Sequence, residues 1–186
     1  GASQNFFSAQ QDFTAKQAMR TRAFWLISIG HACALLVVSA VMVHLIPHLT
    51  QGLGYSLTQA GLIVGMMTAF QMAGQIGGGY LGDRINKRYL CIGCMSVHTI
   101  GLLLVAFATT PIMVLAFAAL HGLAWGIRGP LMVALRADYF GPSSFGTIMG
   151  FSSLIVMLGM STGPIFAGLM ADIYGNYQLG FAVLAV

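Results

Sequence analysis

The chain has 186 residues, of which 58% are hydrophobic and 6% charged, and its mean hydropathy is +0.84. A soluble domain has nowhere to bury that much apolar surface, so a water-soluble fold is excluded. The formal charge of +4 does not point to nucleic acid either, because the charges sit between apolar stretches and not along one face.

Residues 1 to about 20 are polar and glutamine-rich, with Phe6, Phe7 and Phe13 scattered among them. They read as a loop or a short surface helix on the water side. Asp12 or Thr14 is placed to cap a helix running toward Arg22. The chain starts at Gly1, which is expected to be a cut end and not a natural start. The first span is predicted over about 24–46, with Trp25 at its start and Pro47, then Gln51-Gly52-Leu53-Gly54, at its end. At about 1.5 Å per residue it is long enough to cross a core of about 30 Å. The second span, about 57–81, carries Gly61-x-x-x-Gly65 and Gly74-x-x-x-Gly78-x-x-x-Gly82, a spacing that lets helix backbones touch.

Gly78 to Arg88 is the densest cluster of charge. An ion left in hydrocarbon costs roughly 3 kcal/mol or more on insertion scales, so this stretch is predicted to be an aqueous loop. The third span follows over about 89–108 and ends at the turn Thr109-Thr110-Pro111. The fourth, about 112–135, is interrupted at Arg128-Gly129-Pro130. Arg136 to Ser144 is read as a short polar loop. The fifth span covers about 145–170, with Gly159-x-x-x-Gly163-Pro164. The final stretch, 178–186, is apolar but too short to cross.

The basic residues fix an orientation. Lys16, Arg20 and Arg22 precede span one, Arg84, Lys87 and Arg88 lie between spans two and three, and Arg136 lies between four and five. The loops after spans one, three and five carry none. Seven of the eight basic residues thus fall on one side, which the positive-inside rule makes cytoplasmic. The expected setting is an integral, multi-pass protein of a bacterial inner membrane with a cytoplasmic N-terminus.

Gly79-x-Leu81-x-Asp83-Arg84-x-x-Lys87-Arg88 resembles the signature loop of the major facilitator superfamily, with Asn86 where a glycine is usual. The resemblance implies an all-α membrane protein and a six-helix half of a two-half transporter bundle, here five full spans and a truncated sixth. Several stretches resemble the C-terminal half of the monocarboxylate-transporter and oxalate/formate-antiporter branches. They are the leader into Ala23-Phe24-Trp25, Val43 to Leu49, Gly126-x-Arg128-Gly129-Pro130, Asp138 to Gly141 and Gly163-Pro164. Residues 1–22 then form a cytoplasmic linker and 23–186 the transmembrane bundle. The implied partners are a small-molecule substrate, a coupling ion (a proton or a counter-anion), membrane lipid and the missing N-terminal half.

Arg128 is the sharpest site candidate. A buried cation must face a cavity, a partner or a ligand. His121, Trp125 and Arg128 fall at i, i+4 and i+7, so they share one helix face. That face can line a pathway and hold an anion. Alternatively, Arg128, about 12 Å from Arg136 along a helix, snorkels to the edge or bonds carbonyls freed by Pro130. Gln71 and Gln75 stand where monocarboxylate-type relatives carry a charged pair. They can bond a substrate without neutralising it, or they bridge helices. His31 lies at membrane depth and suits a pH sensor or proton relay, whereas His44 and His48 are read as interfacial histidines with access to water.

Cys91-x-x-Cys94-x-x-x-His98 shares one face but lacks the ligands of a metal site. No metal and no cofactor is expected. The resemblance gives Gly79, Asp83, Arg84, Lys87 and Arg88 a gating role, with Asp83 paired to a base or to backbone donors as a latch. A solvated loop is the alternative. No Ser-His-Asp set, phosphate loop or zinc motif is present, so an enzyme is not expected. The expected function is secondary transport of a small organic anion such as a carboxylate by rocker-switch alternating access. A carrier of neutral solutes or drugs, and a non-transporting receptor of the same fold, are the alternatives.

Overall fold

The computed structural model describes residues 12–186, so Phe6 and Phe7 lie outside the described residues. A short helix α1 (Ala15–Met19) leads into α2 (Arg22–Pro47). Then come α3 (Leu57–Arg84), α4 (Lys87–Ala106), α5 (Pro111–Phe140), α6 (Phe145–Tyr174) and α7 (Gln178–Leu184). Five of these helices, α2 to α6, are long and apolar enough to cross a membrane.

Local chemistry explains the boundaries. Thr14 caps α1 through a capping box with Gln17, and Ser56 does the same for α3 with Gln59. Thr21 accepts from the Phe24 amide and restarts the helix as α2. The leader is held to the bundle. The Phe13 amide donates to Phe140 O over 3.0 Å, and the Asp12 carboxylate takes the Ser143 amide at 3.1 Å and its hydroxyl. Gly175, at φ 75°, ends α6 in the left-handed conformation that glycine adopts without strain.

α2 closes at Pro47, after which a π-helical turn, His48–Gly52, carries the chain to Leu53, whose amide bonds His48 O over 3.1 Å. Three boundary expectations are corrected. Arg128-Gly129-Pro130 does not interrupt the fourth span, since α5 is continuous through Pro130. The stretch from Arg136 is not a loop, because α5 continues to Phe140 and Arg136 is buried. Finally, the charged cluster is mostly helical. α3 runs to Arg84 and α4 starts at Lys87, leaving Ile85 and Asn86 as the break. Asn86 there accepts from the Arg88 amide at 3.0 Å and caps α4 with φ −56°. A side-chain cap with negative φ explains why asparagine serves where glycine is usual.

The helices pair through small residues. α3 lies along α5, α2 along α6, and α4 covers another side of α5. A Cβ at Gly74 would meet Leu123 O at 2.6 Å, and one at Gly78 would meet Ile127 Cα at 2.7 Å. From the other side, Gly122 and Gly126 press on the backbone of Met67 and Gln71. Gly159 and Gly163 likewise meet Ala32 and Leu36 of α2. The expected seams at Gly74-x-x-x-Gly78 and Gly159-x-x-x-Gly163 are therefore present. Gly61 and Gly65, by contrast, have open space around them and join nothing among the described residues.

One apolar core lies toward the α2–α3 end. It gathers Leu45, Leu49, Met67, Leu102, Phe117 and Phe181 from five helices and the π turn. A smaller one, at the opposite end, sets Phe24, Phe140 and Ile148 against the leader. Long side chains such as Leu26, Ile76, Leu158 and Ile173 point outward, as expected of a bundle whose surround is lipid.

Candidate functional site

α5 is the helix on which the site is built, because α3 and α4 pack along it, α2 and α6 reach it, and each of its faces meets something different. Toward α2 and α6 it presents Arg136, which is 2% exposed. The guanidinium donates from Nε to Ser152 Oγ at 3.0 Å, from Nη1 to Met132 O at 2.8 Å and from Nη2 to His31 Nδ1 at 3.1 Å. Ser152 Oγ also meets Ser28 Oγ at 2.8 Å. An arginine can only donate, so His31 Nδ1 is the acceptor and the imidazole is neutral, with its proton on Nε2. These four side chains tie α2, α5 and α6 together by hydrogen bonds without a counter-charge.

Toward α4, α5 presents His121 and Arg128. His121 is fully buried and His98 of α4 is 3% exposed. Their Nδ1 atoms are 3.0 Å apart, with ring centroids 4.5 Å apart at 78°. Phe117 lies beside His121, its ring centroid 5.3 Å away. Arg128 is 2% exposed, yet its Nε and Nη1 find no hydrogen-bond partner among the described residues. Neither snorkelling to the edge nor bonding to a carbonyl freed by Pro130 is seen. Arg128 instead lines an open groove of about 540 Å³ between α2, α4 and α5, with Ile27, Gly30, Cys91, Met95 and Met132. A second groove of about 280 Å³ adjoins it, lined by Cys33, Val37, Met95, His98 and Thr99.

Neither Arg128 nor Arg136 forms an ion pair among the described residues, although Asp138 stands two positions after Arg136. Asp12 is in the leader, and Asp83, Asp138 and Asp172 stand within the end turns of α3, α5 and α6. Burying an unpaired charge is costly.

The remaining candidates are dispersed. Trp125 is half-buried on α5 between His121 and Arg128. Gln71 is half-buried and Gln75 exposed on α3, whose backbone carries the glycine seam with α5. Their side chains do not join the Arg128 group. His31 joins Arg136 and not the Arg128–His121 face. His48 is corrected from an interfacial, water-exposed residue. It is buried, and its Nε2 bonds Val105 O at 2.9 Å, while His44 Nε2 bonds Pro164 O at 2.9 Å. A carbonyl partner fixes both as Nε2 donors. Cys91 and Cys94 remain free, and no three histidine, cysteine or acidic residues cluster as metal ligands among the described residues.

At the α3–α4 junction, Asp83 is exposed and makes no ion pair among the described residues. The acid that meets a base there is Asp138, 2.8 Å from Lys87 Nζ. Arg84 stacks on Tyr80 at 3.9 Å, and Arg88 on Tyr139 at 5.1 Å. Gly79 is exposed with open space around it. The junction is thus fastened from α4 to the far end of α5, by residues some fifty positions apart in the sequence.

Comparison with known proteins gives these helices a family. A profile of the Major Facilitator Superfamily matches residues 27–186. The multidrug resistance protein B homolog of Mycobacterium tuberculosis is 27% identical over 136 residues, covering 69% of this chain and 24% of that protein. The benzoate transport protein of Acinetobacter baylyi is 24% identical over 178 residues, or 94% of this chain and 36% of its own length. Monocarboxylate transporter 13 of Rattus norvegicus is 28% identical over 145 residues, 76% of this chain and 33% of that one. The chain thus spans a quarter to about a third of the length of these relatives.

Proposed function

The chain belongs to the Major Facilitator Superfamily and is integral to the membrane, and on that premise we propose that the protein carrying it moves a small organic anion, such as a carboxylate, by rocker-switch alternating access. In this reading the chain is the C-terminal half, residues 12–22 belong to the linker on the cytoplasmic side, and the other half completes the pathway.

The observation that carries the anion is Arg128. It is 2% exposed, has two donors without a partner among the described residues, and opens on a groove whose other walls are mainly apolar. A carboxylate satisfies such donors by charge-assisted bonds, and apolar walls suit a hydrocarbon body. His121 and Trp125 flank the same face, and the outward side of α3 with Gln71 and Gln75 faces the other half. His31, through Arg136, joins the helices that must move together.

The relatives' names include a benzoate transport protein and a monocarboxylate transporter, both of which name carboxylates, and also a multidrug resistance homolog. That last name keeps a drug or neutral solute as the second reading. The test is uptake into vesicles containing the whole protein, with labelled aromatic and aliphatic carboxylates beside neutral solutes. Accumulation of a carboxylate supports the reading, and flux of neutral solutes alone retires the anion. Binding without flux of any solute points to a receptor of the same fold.

A further inference from the structure

The His98–His121 contact fixes the tautomers of both rings. Two nitrogens 3.0 Å apart can form a hydrogen bond only if one of them carries the hydrogen. In the neutral pair one imidazole is therefore the Nδ1–H tautomer with a bare Nε2. The other accepts at Nδ1 and carries its hydrogen on Nε2. Both Nε2 atoms are buried and have no hydrogen-bond partner among the described residues. The pair thus ends in one buried acceptor and one buried donor, on the two helices it joins.

From this geometry we propose, resting on the transport reading above, that His98 and His121 form a proton-binding site that supplies the coupling ion for anion movement. A proton arriving at the bare Nε2 makes that ring an imidazolium. It passes its Nδ1 hydrogen across the 3.0 Å contact to the other Nδ1. The second ring then releases its Nε2 hydrogen. One proton enters and one leaves, and the two rings have exchanged tautomers. The bonds formed and broken are all N–H, so no other reactant is needed.

The surroundings determine when the site fills. Arg128, on the same face of α5 as His121, is the cation nearest His121 along that helix. Cys94 precedes His98 by one turn on α4 and is buried, and Cys91 stands three residues earlier. From α2, Cys33, Leu36 and Val37 line the groove that His98 borders, and from α7 and the two residues after it Val183, Leu184, Ala185 and Val186 do so. Phe117 covers His121 and carries no charge. No acid faces the pair among the described residues. Burial is the first obstacle to a charge on the pair, and the Arg128 cation adds to it. An anion on Arg128 offsets the part that Arg128 adds, so each ligand favours the other, as linkage requires. Anion and proton are then bound together.

The test uses the whole protein in vesicles, with the carboxylate that it carries and a trapped pH-sensitive dye. Two readouts are taken for the unaltered protein and for His98→Gln and His121→Asn. One is accumulation driven by an imposed pH gradient. The other is counterflow, the exchange of labelled for unlabelled solute, which needs no gradient and reports a folded carrier. The expected result is gradient-driven accumulation with a dye response in the unaltered protein, and loss of both in each variant, with counterflow retained in His98→Gln. Variants that still accumulate solute when a pH gradient is imposed overturn the proton site. Loss of counterflow along with accumulation in His98→Gln assigns the pair to packing and also overturns it. An unaltered protein that exchanges solute but ignores the pH gradient overturns the proton site while leaving transport standing. An unaltered protein with no exchange removes the transport reading, and the proton site with it.

Discussion

Arg136 of α5 donates from Nη2 to Nδ1 of His31 on α2 across 3.1 Å, and the same guanidinium reaches Ser152 on α6. Each partner satisfies one donor of a cation that is almost entirely buried. Removing an acceptor leaves a buried donor unpaired, at a cost of about 1–3 kcal/mol. His31→Leu is therefore expected to lower the midpoint of thermal unfolding in detergent. Restoring an acceptor with His31→Gln should recover part of the loss. Equal midpoints for His31→Leu and the unaltered protein would show that this contact does not stabilise the bundle.

The α3–α5 seam makes a prediction that separates two neighbouring glycines. A Cβ at Gly126 runs into the Gln71 carbonyl, and backbone cannot step aside as a side chain can. At Gly129 nothing lies within 4 Å. Gly126→Ala should push the helices apart and reduce folded yield and thermal stability. Gly129→Ala should be tolerated, with a helix-propensity gain of up to about 1 kcal/mol. Similar losses in both variants, read by unfolding midpoint, would contradict the seam as described.

Lys87 and Asp138 pair at 2.8 Å, with the lysine side chain 23% and the aspartate 53% exposed. An exposed pair of this kind is worth no more than about 1 kcal/mol and weakens with salt. The expected signature is coupling and not bulk destabilisation. Lys87→Asp and Asp138→Lys should each slow transport, and the double exchange should restore part of it. Asp83→Asn, lacking an ion-pair partner among the described residues, should perturb stability less than Asp138→Asn. If Asp83→Asn has the larger effect, the fastening of the junction has been assigned to the wrong acid.

These cases also show which features are written locally and which are not. Span number and the turns at Thr109-Thr110-Pro111 and Gly175 follow from hydropathy and from residues with fixed backbone preferences. The glycine seams at Gly74 and Gly159 follow from spacing. The partners Gly122 and Gly126 were equally legible as a four-residue repeat, but hydropathy hides them inside a longer apolar run.

Arg136, a charged residue beside a polar stretch, reads locally as a loop. Its burial depends on His31 and Ser152, which reach it from two other helices. Pro130 reads locally as a break, yet α5, packed by its neighbours, runs through it. The His98–His121 pair was split between two motifs, one on each helix, because nothing local to either stretch announces a contact across twenty-three positions. The exchange of Asp83 for Asp138 has the same origin. The signature stretch announces its own acid, while the lysine's partner lies at the far end of α5.

The anion claim rests on Arg128, and one measurement addresses it most directly. Uptake of a labelled carboxylate is compared in vesicles bearing the whole protein, Arg128→Lys and Arg128→Gln, with protein amount and the thermal unfolding midpoint in detergent as controls. The account predicts saturable carboxylate uptake that Arg128→Lys keeps in part and Arg128→Gln abolishes, since only the first retains a charge for the anion. Carboxylate uptake unchanged in Arg128→Gln would contradict it, and would return Arg128 to a structural role in the wall between α2, α4 and α5.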